Sequence, residues 1–190
     1  MTEFPLKLTA LAQHIVSSHI RSGDVVIDAT VGNGEDTLHL ARCVGEEGFV
    51  LGFDIQETCL EKTIALLTEN NLHQRVKLVC SGHEKMLDYV TDSPRVVMFN
   101  LGYLPGGSSA IHTKTETTLL ALEKSIEVLD DGGLITLCLY SHREGLKEKE
   151  AIFKWVEGLP KYFQVLRLSP LKRNNPPELL VIKNTKTTGS

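Results

Sequence analysis

The chain has 190 residues, enough for one globular domain with one substantial core. Apolar residues make up 42% and charged residues 23%, and no run of 18 apolar residues occurs, which argues for a water-soluble fold without a membrane span. The formal net charge of −4 excludes a protein that coats nucleic acid by bulk electrostatics, although a local basic patch could still serve an RNA-modifying enzyme.

Met1-Thr2-Glu3-Phe4-Pro5 lacks the basic-then-apolar layout of a secretory signal, so a cytoplasmic protein is expected. Leu8, Leu11, Ala12, Ile15 and Val16 recur at helical spacing and predict a helix over 6–20. Arg21-Ser22-Gly23-Asp24 stops it. Val25-Val26-Ile27 reads as a short buried strand ending at Asp28. Residues 35–43 then read as a helix. A second strand spans 49–53, a helix about 57–70, a third strand 76–80 and a fourth 96–99. A glycine-rich loop from Gly102 to His112 precedes a long amphipathic helix over 115–129. Asp130-Asp131-Gly132-Gly133 turns into a fifth strand over 134–140, and 145–157 is helical. Two final strands, 163–168 and 179–183, flank a polar, proline-bearing loop.

This alternation predicts an α/β fold with a mostly parallel, seven-stranded sheet and helices on both faces. The first four strands are continuous apolar runs, as expected where both faces are covered. The last two have no helix between them and should pair as an antiparallel hairpin at one edge. Cys43, Cys59, Cys80 and Cys138 form no CxxC pair and read mainly as buried free thiols, so no metal site is expected.

Ligands of open α/β sheets bind beyond the carboxyl ends of the strands. Here the first strand runs into Asp28-Ala29-Thr30-Val31-Gly32-Asn33-Gly34. Gly32 and Gly34 allow a sharp turn and close approach of a ligand, with Asn33 between them. Asp54 ends the second strand twenty residues beyond Gly34, where a carboxylate can accept both hydroxyls of an adenosine ribose. Gln56 sits just past it. In a nicotinamide-binding fold the following helix is open to a pyrophosphate. Glu35 and Asp36 occupy that place here and would repel it. S-adenosylmethionine, which carries a sulfonium and an ammonium, suits these acids; helix capping is the other reading of Asp36. After the third strand, Ser81-Gly82-His83 could meet an adenine, or His83 could cap a helix.

The fourth strand runs into Asn100-Leu101-Gly102-Tyr103. It resembles the Asn/Asp-Pro-Pro-Tyr/Phe motif of amino-directed methyltransferases, which grips a nitrogen nucleophile beside the donor methyl, although both prolines are replaced. Asp-Ala-Thr-Val-Gly-Asn-Gly-Glu-Asp-Thr, Ser-Gly-His, Phe-Asn-Leu-Gly-Tyr-Leu-Pro-Gly-Gly and Asn174-Asn175-Pro176-Pro177 together resemble a small bacterial methyltransferase family long labelled as rRNA methylases. The resemblance covers nearly the whole chain. It implies a Rossmann-like class I methyltransferase fold, S-adenosylmethionine as cofactor, a homodimer, and a tRNA substrate. The implied reaction methylates wobble 5-aminomethyl-2-thiouridine to the 5-methylaminomethyl form.

On that resemblance Asn100 and the Leu101 carbonyl would orient the amine, and Tyr103 would pack on the uracil. Tyr140, His142 and His112 are candidate bases, or else ordinary strand-end and loop residues. Arg143, Lys172 and Arg173 could meet phosphates, and Asn174 and Asn175 the base or its neighbours. Lys161, Arg167, Lys172 and Arg173 form either a basic patch or a solvated face. Methylation of rRNA or of a small amine, and a non-catalytic or NAD-binding domain, remain the alternatives.

Overall fold

A computed structural model describes residues 7–101, 114–141, 143–171 and 176–186. The elements are α1 (Leu8–Ser17), β1 (Val25–Asp28), α2 (Glu35–Cys43), β2 (Phe49–Asp54), α3 (Glu57–Glu69), β3 (Val76–Cys80), β4 (Val96–Asn100), α4 (Thr115–Val128), β5 (Leu134–Leu139), α5 (Arg143–Glu157), β6 (Phe163–Leu168) and β7 (Glu178–Asn184). Short 3-10 helices span His73–Arg75 and His83–Asp88. The expected strands and helices are all present, with ends displaced by at most three residues, as at the α1 C-terminus.

The seven strands form one sheet in the order β3-β2-β1-β4-β5-β7-β6. β1 to β5 are parallel, whereas β7 is antiparallel to both β5 and β6. The closing hairpin is therefore at one edge, as expected. Its second strand, β7, lies inside, leaving β6 at the edge. This is the class I methyltransferase architecture.

Alternation along each strand divides the core into two layers. Ile27, Phe53, Val97, Phe99, Ile135 and Leu137 pack with Met86, Ala121, Leu122 and Ile152. Val26, Val50, Val96, Met98 and Leu134 pack on the other face with Ala12, Val16, Leu40 and Leu67. Both Phe53 and Phe99 are fully buried, each contributing about 2–3 kcal/mol of apolar burial.

Two expectations need correction. β3 is an edge strand, and it is not covered on both faces: Lys77 and Cys80 are exposed. Of the four thiols Cys59 and Cys138 are buried, while Cys43 at the end of α2 is half-buried and Cys80 on the edge strand faces solvent. All four are free.

β7 also anchors a charge cluster that is buried at Glu178 and Lys149 and open to solvent at Arg167. Glu178 is 3% exposed and pairs with Lys149 of α5 and Arg167 of β6. A second Arg167–Glu178 hydrogen bond is 2.9 Å, and the guanidinium lies 4.4 Å from the Phe153 ring centroid. Arg167 is thus committed to Glu178, which removes it from the basic patch considered from sequence. Lys161 remains exposed. Lys172 and Arg173 lie outside the described residues.

Candidate active site

The strand order reverses between β1 and β4, and the candidate site is built on the carboxyl ends of these strands and of β2. Crossovers to opposite sides leave a crevice there. The β1–α2 turn fills its floor. Gly32 and Gly34 have φ of +53° and +81°, a region costly for residues with a Cβ. At Gly34 a Cβ would lie 2.5 Å from Thr63 Oγ1, because α3 packs directly against the turn. Asn33 is exposed between them.

Asp54 fixes the outer side of this turn. Its Oδ2 accepts the Gly32 N–H at 2.8 Å, and its Oδ1 accepts the Gln56 N–H at 2.9 Å. The Asp54 carbonyl accepts the Ser81 N–H at 3.0 Å, so the β2 and β3 ends are tied together. The next residue, Ile55, is 60% exposed despite being apolar. Sequence reasoning passed over it, although an isoleucine directly after a strand-end acid is unusual where loops are normally polar.

Asp28 lies beneath the turn and is 1% exposed. Its carboxylate accepts the Thr37 hydroxyl at 2.6 Å and the Thr30 N–H at 3.1 Å. Burial, then the charges of Asp36 and Asp54, push this carboxyl up to about 7. Asp36 is also raised, chiefly by burial. Three carboxylates therefore crowd one crevice, and no ion pair among the described residues neutralises them.

Asp36 does not cap α2. Its Oδ1 accepts the Gln13 side-chain N–H of α1 at 2.7 Å, and its Oδ2 faces the Asn100 Nδ2 at 3.4 Å. Asn100 closes the β4 end, where its backbone N–H donates to Thr30 Oγ1 at 2.7 Å. The next N–H, of Leu101, donates to the Cys138 carbonyl at 3.0 Å. Because the Leu101 side chain is buried in the core, only its backbone can face a ligand.

His83 is nearly buried and is no helix cap either. Its Nδ1–H donates to the Ala29 carbonyl at 2.9 Å, and its ring meets Phe99 edge-on with centroids 5.6 Å apart. Burial lowers its pKa, so the neutral imidazole is favoured. Tyr140, just past β5, is 37% exposed. Burial of the phenol, then the neighbouring Cys138 and Asp36, push it up to about 12. At neutral pH its hydroxyl is therefore a hydrogen-bond donor and not a ready proton acceptor.

Asp28, Gly32, Gly34, Asp36, Asp54, His83 and Asn100 are thus brought to one region by contacts between the strand ends. Tyr103, His112, His142, Lys172, Arg173, Asn174 and Asn175 lie outside the described residues. Arg143 opens α5. Gln13 and Thr37 were missed from sequence. Their partners Asp36 and Asp28 lie 23 and 9 residues away, across an element boundary, so only the folded chain reveals them.

Residues 50–184 match the family described as "Putative rRNA methylase". The chain belongs to this family. It is 41% identical over 165 residues to the "tRNA (mnm(5)s(2)U34)-methyltransferase, chloroplastic" of Arabidopsis thaliana, an alignment covering 81% of the chain. The chain spans 60% of that relative's length. A structure from Clostridium thermocellum carrying the rRNA methylase description superposes with a TM-score of 0.90 at 41% identity, covering 92% of this chain and 96% of that one. A methyltransferase homologue from Streptococcus mutans, solved in complex with SAH, gives a TM-score of 0.85 at 35% identity, covering 96% and 99%.

Proposed function

We propose that this rRNA methylase family member is an S-adenosylmethionine-dependent methyltransferase. Its substrate on this reading is the amine of wobble 5-aminomethyl-(2-thio)uridine in tRNA. The observation that carries the amine reading is Asn100, a carboxamide fixed at the β4 end beside the acid-lined turn. The name of the Arabidopsis relative and the SAH in the S. mutans structure support the donor and the RNA.

The residues present suit a cationic, nucleoside-bearing cofactor. The charges of Asp36 and Asp54 bear on buried Asp28, a repulsion that a sulfonium and an ammonium would relieve and a pyrophosphate would aggravate. Gly32 and Gly34 keep the turn low, Asp54 would take the ribose hydroxyls, and Ile55 offers an apolar surface to the base. Gln56, Ser81 and His83 line the same end, with Asn33 at the rim. When bound, S-adenosylmethionine supplies an electrophilic methyl group on sulfur.

The protein's own part is then positioning. Asn100 accepts an N–H of the amine, and the Leu101 carbonyl a second, which orients the nitrogen lone pair. The amine must be neutral to attack. Tyr140, held protonated, donates a hydrogen bond; His112 and His142 stay candidates for taking up the proton. Tyr103 stacks on the uracil. Arg143, Lys172 and Arg173 meet phosphates, and Asn174 and Asn175 contact the nucleotide.

The same reading includes a cytoplasmic homodimer. No described helix is long and apolar enough to cross a membrane. The free edge of β6 exposes Val165 and Leu166, surface that a second copy could cover. The direct test supplies tritiated donor with tRNA carrying or lacking the aminomethyl group. Label should enter only the first. Equal labelling of both, or of neither, overturns the tRNA amine reading, whereas turnover of a free amine without RNA supports the small-amine alternative.

A further inference from the structure

The Asn100 carboxamide has two faces, and only one is useful to an amine. If Nδ2 pointed into the crevice, a donor would meet the donor N–H of the substrate. The side chain must therefore present Oδ1. Rotation of a carboxamide by half a turn exchanges the two ends at little cost unless a neighbour distinguishes them. Asp36 does so. As a carboxylate it only accepts, and its Oδ2 faces Asn100 Nδ2 at 3.4 Å. Among the described residues no hydrogen bond occupies Asn100 Oδ1.

Asp36 is held in turn. It is 8% exposed, and Gln13 Nε2 donates to its other oxygen at 2.7 Å. Gln13 itself belongs to a helical turn whose carbonyl accepts the Ser17 hydroxyl at 2.7 Å. Three elements distant in sequence thus converge on one amide: α1, the first turn of α2, and the β4 end. Neither the stability of α2 nor a donor-binding role for Asp36 requires Gln13 and Asn100 to grip opposite oxygens of the same carboxylate.

We propose that Gln13 and Asp36 are positioning residues for methyl transfer, locking the Asn100 carboxamide with its oxygen toward the incoming amine. The proposal rests on the amine-methyltransferase reading for its consequence, but its geometry can be read without turnover. Asp36 acts on turnover through Asn100, over and above its share in the acidic field that favours a cationic donor.

The test combines Asp36→Ala, Asp36→Asn and Gln13→Ala with Asn100→Ala. Asp36→Ala should lower kcat by about 100-fold, as for a displaced orienting group, while KM for tRNA stays within about threefold of wild type and affinity for SAH falls far less than kcat. Asp36→Asn should restore most of the rate, because its amide oxygen can still accept from Asn100 and Gln13 can turn its own amide to match. Gln13→Ala should fall between them. In the Asn100→Ala background, Asp36→Ala should cost nothing further. Additive losses, or an SAH affinity that falls in step with kcat, would overturn the proposal and return Asp36 to the donor site. Independently of turnover, the Asn100 side-chain amide should show a hydrogen-bonded, exchange-protected proton by NMR. That protection should vanish in Asp36→Ala and persist in Asp36→Asn. An unchanged signal in Asp36→Ala would also overturn the proposal, whereas loss of that signal in a protein that methylates no amine would place the failure in the functional reading.

Discussion

Gly34 shows how one residue couples the glycine turn after β1 to the core. A methyl group there would meet Thr63 Oγ1 at 2.5 Å and would also have to adopt φ +81°. Gly34→Ala should cost about 2–3 kcal/mol, part conformational and part steric, read by chemical denaturation. Adding Thr63→Ala should recover the steric part only. At Asp54 both carboxylate oxygens already accept backbone N–H bonds, one from the turn and one from the α3 entry. Asp54→Ala should therefore weaken SAH binding by about 1–3 kcal/mol, partly by loosening Gly32, as calorimetry would show. The position of Asp54 was legible because strand-end acids follow from the strand pattern. The partners of Asp36 were not, since Gln13 and Asn100 lie 23 and 64 residues away. Capping was the natural local reading of an acid in a first helical turn, and tertiary contacts replaced it.

Among the elements, the closing hairpin carries the largest consequence. Antiparallel pairing of β6 and β7 followed from the missing helix between them, but the insertion of β7 between β5 and β6 did not. Alternation alone allows either strand inside. The run Leu179-Leu180-Val181-Ile182, apolar throughout, is what an interior strand requires, while Gln164 and Arg167 interrupt β6 as an edge strand permits. That insertion places Glu178 between Lys149 and Arg167. Burial alone would raise the Glu178 pKa, but hydrogen bonds and charge from Arg167 and Lys149 outweigh it and lower the pKa. The stability it contributes is present above the usual carboxylate pKa and is lost as pH falls through the lowered folded value. Glu178→Ala, which leaves buried Lys149 without its partner, should cost about 3 kcal/mol at neutral pH. The difference from wild type should shrink in acid, as urea denaturation across pH would reveal.

For the whole molecule, the strand-end crevice is acidic within an acidic protein, and on the proposed reading its charges receive a cationic donor. Asp28, held at about 7, retains a proton in the folded state that an unfolded carboxyl loses near 3.8. Between those values the folded chain binds more protons, so stability falls as pH rises through this window. Burial, the first cause of the shift, stays, but a bound cation offsets the second, the charges of Asp36 and Asp54, and so lowers that pKa. Binding of S-adenosylmethionine between pH 6 and 7 should therefore release protons, measurable by calorimetry in buffers of different ionisation enthalpy. NAD should bind poorly, if at all. The fold class was legible from the order of elements, and the proposed cofactor end was read from the glycines and acids that the fold brings together after β1 and β2. The proposed substrate end rests mainly on resemblance, because what fixes Asn100 comes from three separate elements.

The most direct measurement is nucleoside mass spectrometry of tRNA after incubation with the protein and S-adenosylmethionine. The expected result is conversion of 5-aminomethyl-2-thiouridine to its 5-methylaminomethyl form, abolished in Asn100→Ala while SAH binding persists. Persistence of the unmethylated nucleoside in the presence of active, donor-bound protein would contradict it.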